Sequence, residues 1–140
     1  MAYCRWLSAR LGYKIQLPTE WEWQQAATGG STHCVYPWGP KWDARCANTA
    51  ESRLGRTTAV GMYPTGASPV GALDMSGNVW EWCMNEFECP EHLVRSVNRD
   101  PVTRGGAWDV IKEYSRTGWR EPFRSFDRGS YLGFRIVQSS

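Results

Sequence analysis

The residues best equipped for chemistry fall in one string, Asp74-Met75-Ser76-Gly77-Asn78-Val79-Trp80-Glu81-Trp82. Asp74 and Glu81 supply hard carboxylate oxygens, and Gly77 lets a backbone carbonyl turn inward between them. A calcium ion takes six to eight such oxygens. The competing reading gives both carboxylates to loop amides and to an arginine.

A second chemical surface is Asp109 to Tyr131. Tyr114, Trp119, Phe123, Phe126 and Tyr131 are mixed there with Ser, Asp, Gly and Arg. Rigid amphipathic aromatics among small polar residues make a composition suited to recognition. Asp43, Asp109 and Glu113 could in principle act as acid and base, but nothing near them in the sequence would shift a carboxyl pKa, so they read as loop carboxylates.

Other reactive groups are sparse. The five cysteines (Cys4, Cys34, Cys46, Cys83 and Cys89) form neither a disulfide framework nor a paired C-x-x-C zinc pattern, and most read as small buried hydrophobes. His33 and His92 read as solvated loop residues. No nucleophile elbow, P-loop, dinucleotide fingerprint or zinc-binding helix occurs.

The elements that must position these groups begin with an amphipathic helix over Ala2 to Leu11, ended by Gly12. Thr19 and Glu22 form a capping box for a second helix, which runs to Gly29-Gly30. Ser31 to Val70 has little periodicity and reads as long loops held by Trp38, Trp42 and Tyr63. Short strands are expected near Val79 to Cys83, Val102 to Gly106, Arg116 to Arg120 and Gly133 to Val137. The fold class expected is α+β, with two helices on a small twisted antiparallel sheet and much irregular chain.

At 140 residues the chain makes one domain. A net charge of +2 is too small to argue for nucleic acid or an anionic membrane surface. No apolar run approaches the ~20 residues that span a bilayer, and no secretory signal opens the chain, so the expected compartment is the cytoplasm. Nine tryptophans are the compositional outlier, and indoles can staple a domain poor in regular structure.

Three strings carry a family resemblance: Leu17-Pro18-Thr19-Glu20-Trp21-Glu22-Trp23, the Asp74 to Trp82 loop, and Arg104-Gly105-Gly106-Ala107-Trp108 followed by Leu132-Gly133-Phe134-Arg135. Tyr36-Pro37-Trp38-Gly39, Cys46-Ala47-Asn48-Thr49 and Gly55 to Gly61 fall in matching places. The set resembles the formylglycine-generating enzyme, or sulfatase-modifying factor, family, which implies a variant of the C-type lectin fold. In that family further strands and loops precede the first helix, so residues 1–140 are expected to form a single domain truncated at its N-terminal side.

The resemblance implies structural calcium through Asp74, the carbonyls of Gly77 and Val79, and Glu81. A weaker site would use Asn48, the Thr49 carbonyl and the Glu51 to Leu54 segment. It also puts Val110 and Ser115 where the family's enzymes hold copper with two cysteines. Neither can serve Cu(I), which needs soft thiolates, so no copper and no such catalysis are expected.

The Asp109 to Tyr131 segment further resembles the variable segment of proteins diversified by retroelements. Asp109, Val110, Ile111, Tyr114, Phe123, Ser125, Phe126, Gly129, Ser130 and Tyr131 fit variable positions. All ten types are reachable from an Asn codon by changing adenines, while Lys112, Glu113, Trp119 and Glu121 are not. Trp119 joins the ten as an expected binding residue. Arg116, Arg120, Arg124 and Arg128 fit framework positions. Arg104, Arg116, Arg120 and Arg135 are expected to pair with Glu20, Glu22, Asp74 or Glu81, or to cover indoles.

The function expected is non-catalytic ligand recognition within or beside a larger protein. The ligand is expected to be a protein rather than a sugar, since the lectin sugar-binding string is missing. The alternatives are a formylglycine-generating-type enzyme, or an inactive relative that binds cysteine-containing peptides, and a regulatory or scaffolding domain of a larger kinase, protease or ATPase.

Overall fold

The computed structural model describes residues 2–94 and 98–139. Helix α1 (Ala2–Leu11) leads through β1 (Ile15–Gln16) to α2 (Glu20–Thr28). The Thr19 side chain accepts from the Glu22 amide and Glu22 reaches back to the Thr19 amide, which completes the capping box. Gly29 closes α2 in the left-handed region at φ 59°, its amide donating to the Gln25 carbonyl. Gly12 ends α1 at φ 77° with its amide on the Ser8 carbonyl.

The main sheet has four strands, β2 (Trp80–Glu86), β3 (Pro101–Arg104), β4 (Glu121–Pro122) and β5 (Leu132–Gly133), in the order β4-β3-β2-β5. The β2·β3 and β3·β4 pairs are antiparallel, whereas β5 lies parallel to β2. A separate pair joins β1 to β6 (Val137–Gln138) and brings the two ends of the chain together.

Two expected strands differ in detail. Arg116 to Arg120 is turn, because a 3-10 turn at Lys112–Ser115 precedes it and the Trp119 amide folds back on the Arg116 carbonyl. The last strand is split into β5 and β6 around Phe134 to Ile136. Phe134 is 49% exposed rather than in the core, its ring set against Tyr3 of α1.

The core is small: Trp23, Ala27, Met75, Cys83 and Val102, where α2 meets β2 and β3. Such a core leaves the long loops to be held by other means. Trp38 and Trp42 cluster as expected, with ring centroids 5.1 to 5.6 Å apart, but the third ring is Tyr36 rather than Tyr63, so the cluster braces residues 36–42 and not the whole 31–70 region. Helix α1 buries only Cys4, and Trp6 and Leu11 stay exposed.

Candidate functional site

Buried carboxylates organise the centre. Glu81, on β2, accepts from Arg135 Nε at 2.6 Å, from Arg135 Nη2 at 2.8 Å and from Trp23 Nε1 at 2.7 Å. Burial pulls the Arg135 pKa down, and the facing Glu81 charge, with Asp74, more than reverses this, so the net shift is upward. Glu20, at the start of α2, is held by Arg120 through both carboxylate oxygens (2.8 and 3.1 Å) and by Arg104 at 3.3 Å. Arg104 also meets Gln24 and lies over the Trp23 ring. Burial dominates at Arg104, whose pKa falls.

The Asp74 to Glu81 loop is an interlock. The Gly77 amide donates to the Gly105 carbonyl and the Asn78 amide to the Asn48 carbonyl, both at 2.7 Å, while Trp108 donates to the Asn78 carbonyl. Gly77 sits at φ 76°, and a Cβ there would meet the Asn48 carbonyl oxygen at 2.3 Å. The glycine is therefore required twice, by its backbone angle and by the close approach.

The residues expected to bind calcium come together but are already engaged. Asp74, Gly77, Val79, Glu81, Phe134 and Arg135 line a cleft of about 550 Å³. Within it, Asp74 Oδ2 accepts the Gly61 amide at 2.7 Å, and both Glu81 oxygens are taken by Arg135 and Trp23. Both Glu81 oxygens thus already accept protein donors, and an ion bound there would have to share or displace the Arg135 guanidinium.

The Asn48 set is likewise filled. Asn48 Oδ1 accepts from Ser52, the Thr49 carbonyl takes the Ser52 amide, and Glu51 accepts from the Thr49 hydroxyl and the Lys112 amide. In this structure the loops are braced by hydrogen bonds among side chains, amides and an arginine.

The 109–131 segment is pinned through its backbone, through the Thr117 hydroxyl and through Arg120 on Glu20. The Ala50 amide donates to the Val110 carbonyl, the Trp80 amide to the Tyr131 carbonyl, and Trp108 Nε1 to the Ser130 carbonyl. Ser115 and Thr117 are buried, and Thr117 Oγ1 donates to the Cys34 carbonyl. None of the eleven expected binding residues is buried: Asp109, Ile111, Tyr114, Trp119, Phe126, Gly129 and Ser130 are exposed, and Val110, Phe123, Ser125 and Tyr131 half-buried.

Tyr114 and Trp119 pack edge to face at 4.7 Å. Phe123 leans on Trp80, Trp82 and Tyr131 and ties the segment to β2. Of the proposed framework arginines, Arg120 is fixed on Glu20, and Arg124 covers the Phe126 ring.

Val110 and Ser115 lie where the resemblance puts copper-binding cysteines. The buried Ser115 Oγ has no hydrogen-bond partner, crowded against the Cα side of Gly106 where a Cβ would come within 2.2 Å. Neither position supplies a thiolate, and Cys83, with its thiol pKa pushed up by burial, lies in the core.

One group escaped the sequence reading. Glu86, Cys89 and His92 converge so that one donor atom from each lies within 4.8 Å of the others, the only such trio among the described residues. The signal was a three-residue spacing, Glu86-x-x-Cys89-x-x-His92, which matches no paired C-x-x-C pattern.

With this geometry in place, comparison with known proteins gives the family. The Sulfatase-modifying factor enzyme 1-like domain matches residues 1–140, and the chain belongs to that family. The formylglycine-generating enzyme of Mycobacterium tuberculosis is 39% identical over 169 residues, covering 98% of this chain and 53% of that protein. The serine/threonine-protein kinase pkn1 of Chlamydia caviae is 36% identical over 148 residues, covering 97% of this chain and 22% of that protein.

Among solved structures, PvdO from Pseudomonas aeruginosa superposes with a TM-score of 0.83 at 27% identity, over 99% of this chain and 58% of that one. Treponema denticola variable protein 1 does so with a TM-score of 0.74 at 26% identity, over 89% of this chain and 47% of that one. The fold is thus the α+β, C-type lectin-like fold of the formylglycine-generating enzyme type. The chain spans from about a fifth to about half the length of these curated relatives. No helix among the described residues is long and apolar enough to cross a membrane.

Proposed function

We propose that this domain is a non-catalytic recognition module that displays residues 109–131 to a protein ligand. The observation that carries the reading is the division of labour in that segment. Thr117, Arg120 and backbone groups hold it, while all eleven expected binding residues remain exposed or half-buried. Tyr114, Trp119 and Phe126 offer large stiff surfaces of the kind that anchor protein interfaces. The likeness to a variable protein supports the same reading. Val110 and Ser115 speak against copper chemistry, since neither side chain is a soft ligand.

The deciding experiment is the nucleotide sequence of the locus from independent isolates. A nearby near-repeat differing at adenines, with the differences confined to codons 109–131, is the expected result. Fixed codons without a repeat would overturn diversification. Conversion of a cysteine peptide to formylglycine by the intact protein would overturn the non-catalytic assignment.

A second reading concerns context. Because a kinase matches over only 22% of its own length, the domain also suits a module that serves a larger protein. Deleting it from the parent protein and assaying the attached activity tests this: a changed activity supports a regulatory module and an unchanged one removes it.

A further inference from the structure

We propose that Glu86, Cys89 and His92 form a binding site for a divalent transition-metal ion of the zinc class, on the excursion between β2 and β3. The site is separate from the recognition segment and does not depend on its function.

Three observations converge. The first is the donor set. One thiol, one imidazole and one carboxylate, each offering one atom within 4.8 Å of the others, match the ligands Zn²⁺ takes in three-ligand sites. Tetrahedral bonds of about 2.0 to 2.3 Å put ligand atoms roughly 3.3 to 3.8 Å apart. Closing that gap needs a shift of about 1 Å, within the reach of side-chain torsions on the half-buried Cys89 and the exposed His92. Hard ions such as calcium would gain little from the sulfur or the imidazole.

The second is a backbone that already gathers the donors. The His92 amide donates to the Cys89 carbonyl and the Glu86 amide to the His92 carbonyl, both at 2.9 Å. Asn85 Nδ2 donates to the Pro90 carbonyl at 2.5 Å, and the same side chain accepts the Glu20 amide at 2.7 Å. Asn85 is 2% exposed, so the turn that carries Cys89 and His92 is fastened to the capped start of α2. A metal site needs its ligands held in place before the ion arrives, and here buried hydrogen bonds supply that order.

The third is access. Glu86, Glu91, His92 and Leu93 line an open hollow of about 430 Å³. With three protein ligands, the fourth position faces this hollow and takes water or an outside ligand. The charged neighbour is Arg99, whose Nη1 is 3.8 Å from Glu86 Oε2. That contact is long and Arg99 is mostly exposed, so it gives way or stays on one carboxylate oxygen while the other binds metal. Binding deprotonates the Cys89 thiol, and the proton leaves to solvent.

The test is a titration of the intact, tag-free protein with Zn²⁺ in weak buffer, followed by calorimetry and by proton release. One equivalent should bind with loss of the thiol proton. Co²⁺ in its place should give the visible absorption of a tetrahedral site, with a thiolate charge-transfer band that Cys89→Ser removes.

Cys89→Ser and His92→Ala, both away from the core and so neutral for folding, should each weaken zinc by at least about tenfold. Cys34→Ser, at another half-buried cysteine, should bind as the parent does. Glu86→Gln completes the set, with circular dichroism to check its fold, since Glu86 is buried. Failure of the parent to bind one equivalent, or unchanged affinity in both Cys89→Ser and His92→Ala, overturns the site.

Discussion

Arg135 meets Glu81 edge on, Nε to Oε2 at 2.6 Å and Nη2 to Oε1 at 2.8 Å, across 54 residues of chain. The same guanidinium donates to the Leu73 carbonyl at 3.1 Å, so one side chain ties β2, the end of the 109–135 stretch and the approach to the Asp74 loop. Removing it leaves a carboxylate that is 5% exposed without a counter-charge, held by Trp23 Nε1 alone. Arg135→Ala should cost about 3 to 5 kcal/mol, as for other broken buried pairs. Arg135→Lys should recover only part, because an ammonium cannot reproduce the bidentate fork. Urea denaturation measures both, and a loss below about 1 kcal/mol for the alanine variant would mean that the pair is in effect solvated.

Gly77 is the tightest point of the loop interlock. Gly77→Ala forces a Cβ toward the Asn48 carbonyl and a non-glycine residue to φ 76°. The expected loss is about 3 kcal/mol or more, the sum of backbone strain and a contact with backbone that cannot move aside. Thermal unfolding of the variant beside Gly71→Ala separates the two causes. Gly71 has a similar φ of 82° with open space around it, so it should lose only the strain.

Glu51 should make stability fall in acid. Burial pushes its pKa up, and the Thr49 hydroxyl and Lys112 amide outweigh this, so the folded-state pKa lies below the ordinary 4.5. A depressed carboxyl pKa contributes stability that is full above 4.5 and is lost as pH falls through the lower folded value. The gap in unfolding midpoint between the parent and Glu51→Gln should therefore be open at neutral pH and close below the ordinary carboxylate range. A gap that is constant with pH would show that the effect is not protonation.

Calcium should not stabilise the fold. A site filled a hundredfold above its Kd would add about 2.7 kcal/mol, several degrees in Tm for a domain of this size. With Glu81 and Asp74 already accepting protein donors, Tm with excess calcium and with a chelator should agree within about 1 °C. A rise of several degrees that Glu81→Gln abolishes would show that the ion displaces Arg135.

The cysteines should divide by burial. Cys4, Cys46 and Cys83 are buried, and burial raises the Cys83 thiol pKa far above its usual value, whereas Cys34 and Cys89 are half-exposed. Alkylation of the native protein followed by mass spectrometry should mark Cys34 and Cys89 first. Modification of Cys83 at a similar rate would show that the core opens readily.

Much of this was legible in the chain because it rests on local rules. The Thr19 and Glu22 capping box, the Gly12 and Gly29 stops and the indole staples around Trp38 follow from residue types at short spacing. The pairing of Arg104, Arg120 and Arg135 with Glu20 and Glu81 was anticipated within a wider set, since buried carboxylates need partners; among the described residues Arg116, also in that set, makes no such ion pair, and neither does Glu22 or Asp74.

What eluded the sequence is tertiary. Phe134 looked like a core residue of an alternating strand, yet β5 stops at Gly133, whose missing Cβ lies where Val79 presses in, and the phenyl ring turns to Tyr3 instead. The parallel course of β5 beside β2 has no local signature. Glu86, Cys89 and His92 meet through backbone bonds within their turn, and Asn85 ties that turn to α2 by a contact across 65 residues.

The order in which the chain is synthesised gives these long-range pairs a temporal meaning. Ile15 waits for Gln138, Glu20 for Arg104 and Arg120, and Glu81 for Arg135. A ribosome releases them in sequence, so the early carboxylates emerge well before the cations that neutralise them. Sheet pairing and charge neutralisation thus both wait on residues between Arg104 and Gln138, so contacts of high sequence separation govern how the domain closes. A chain cut short before Arg135 would lack both the guanidinium that faces Glu81 and the strand that pairs with β1.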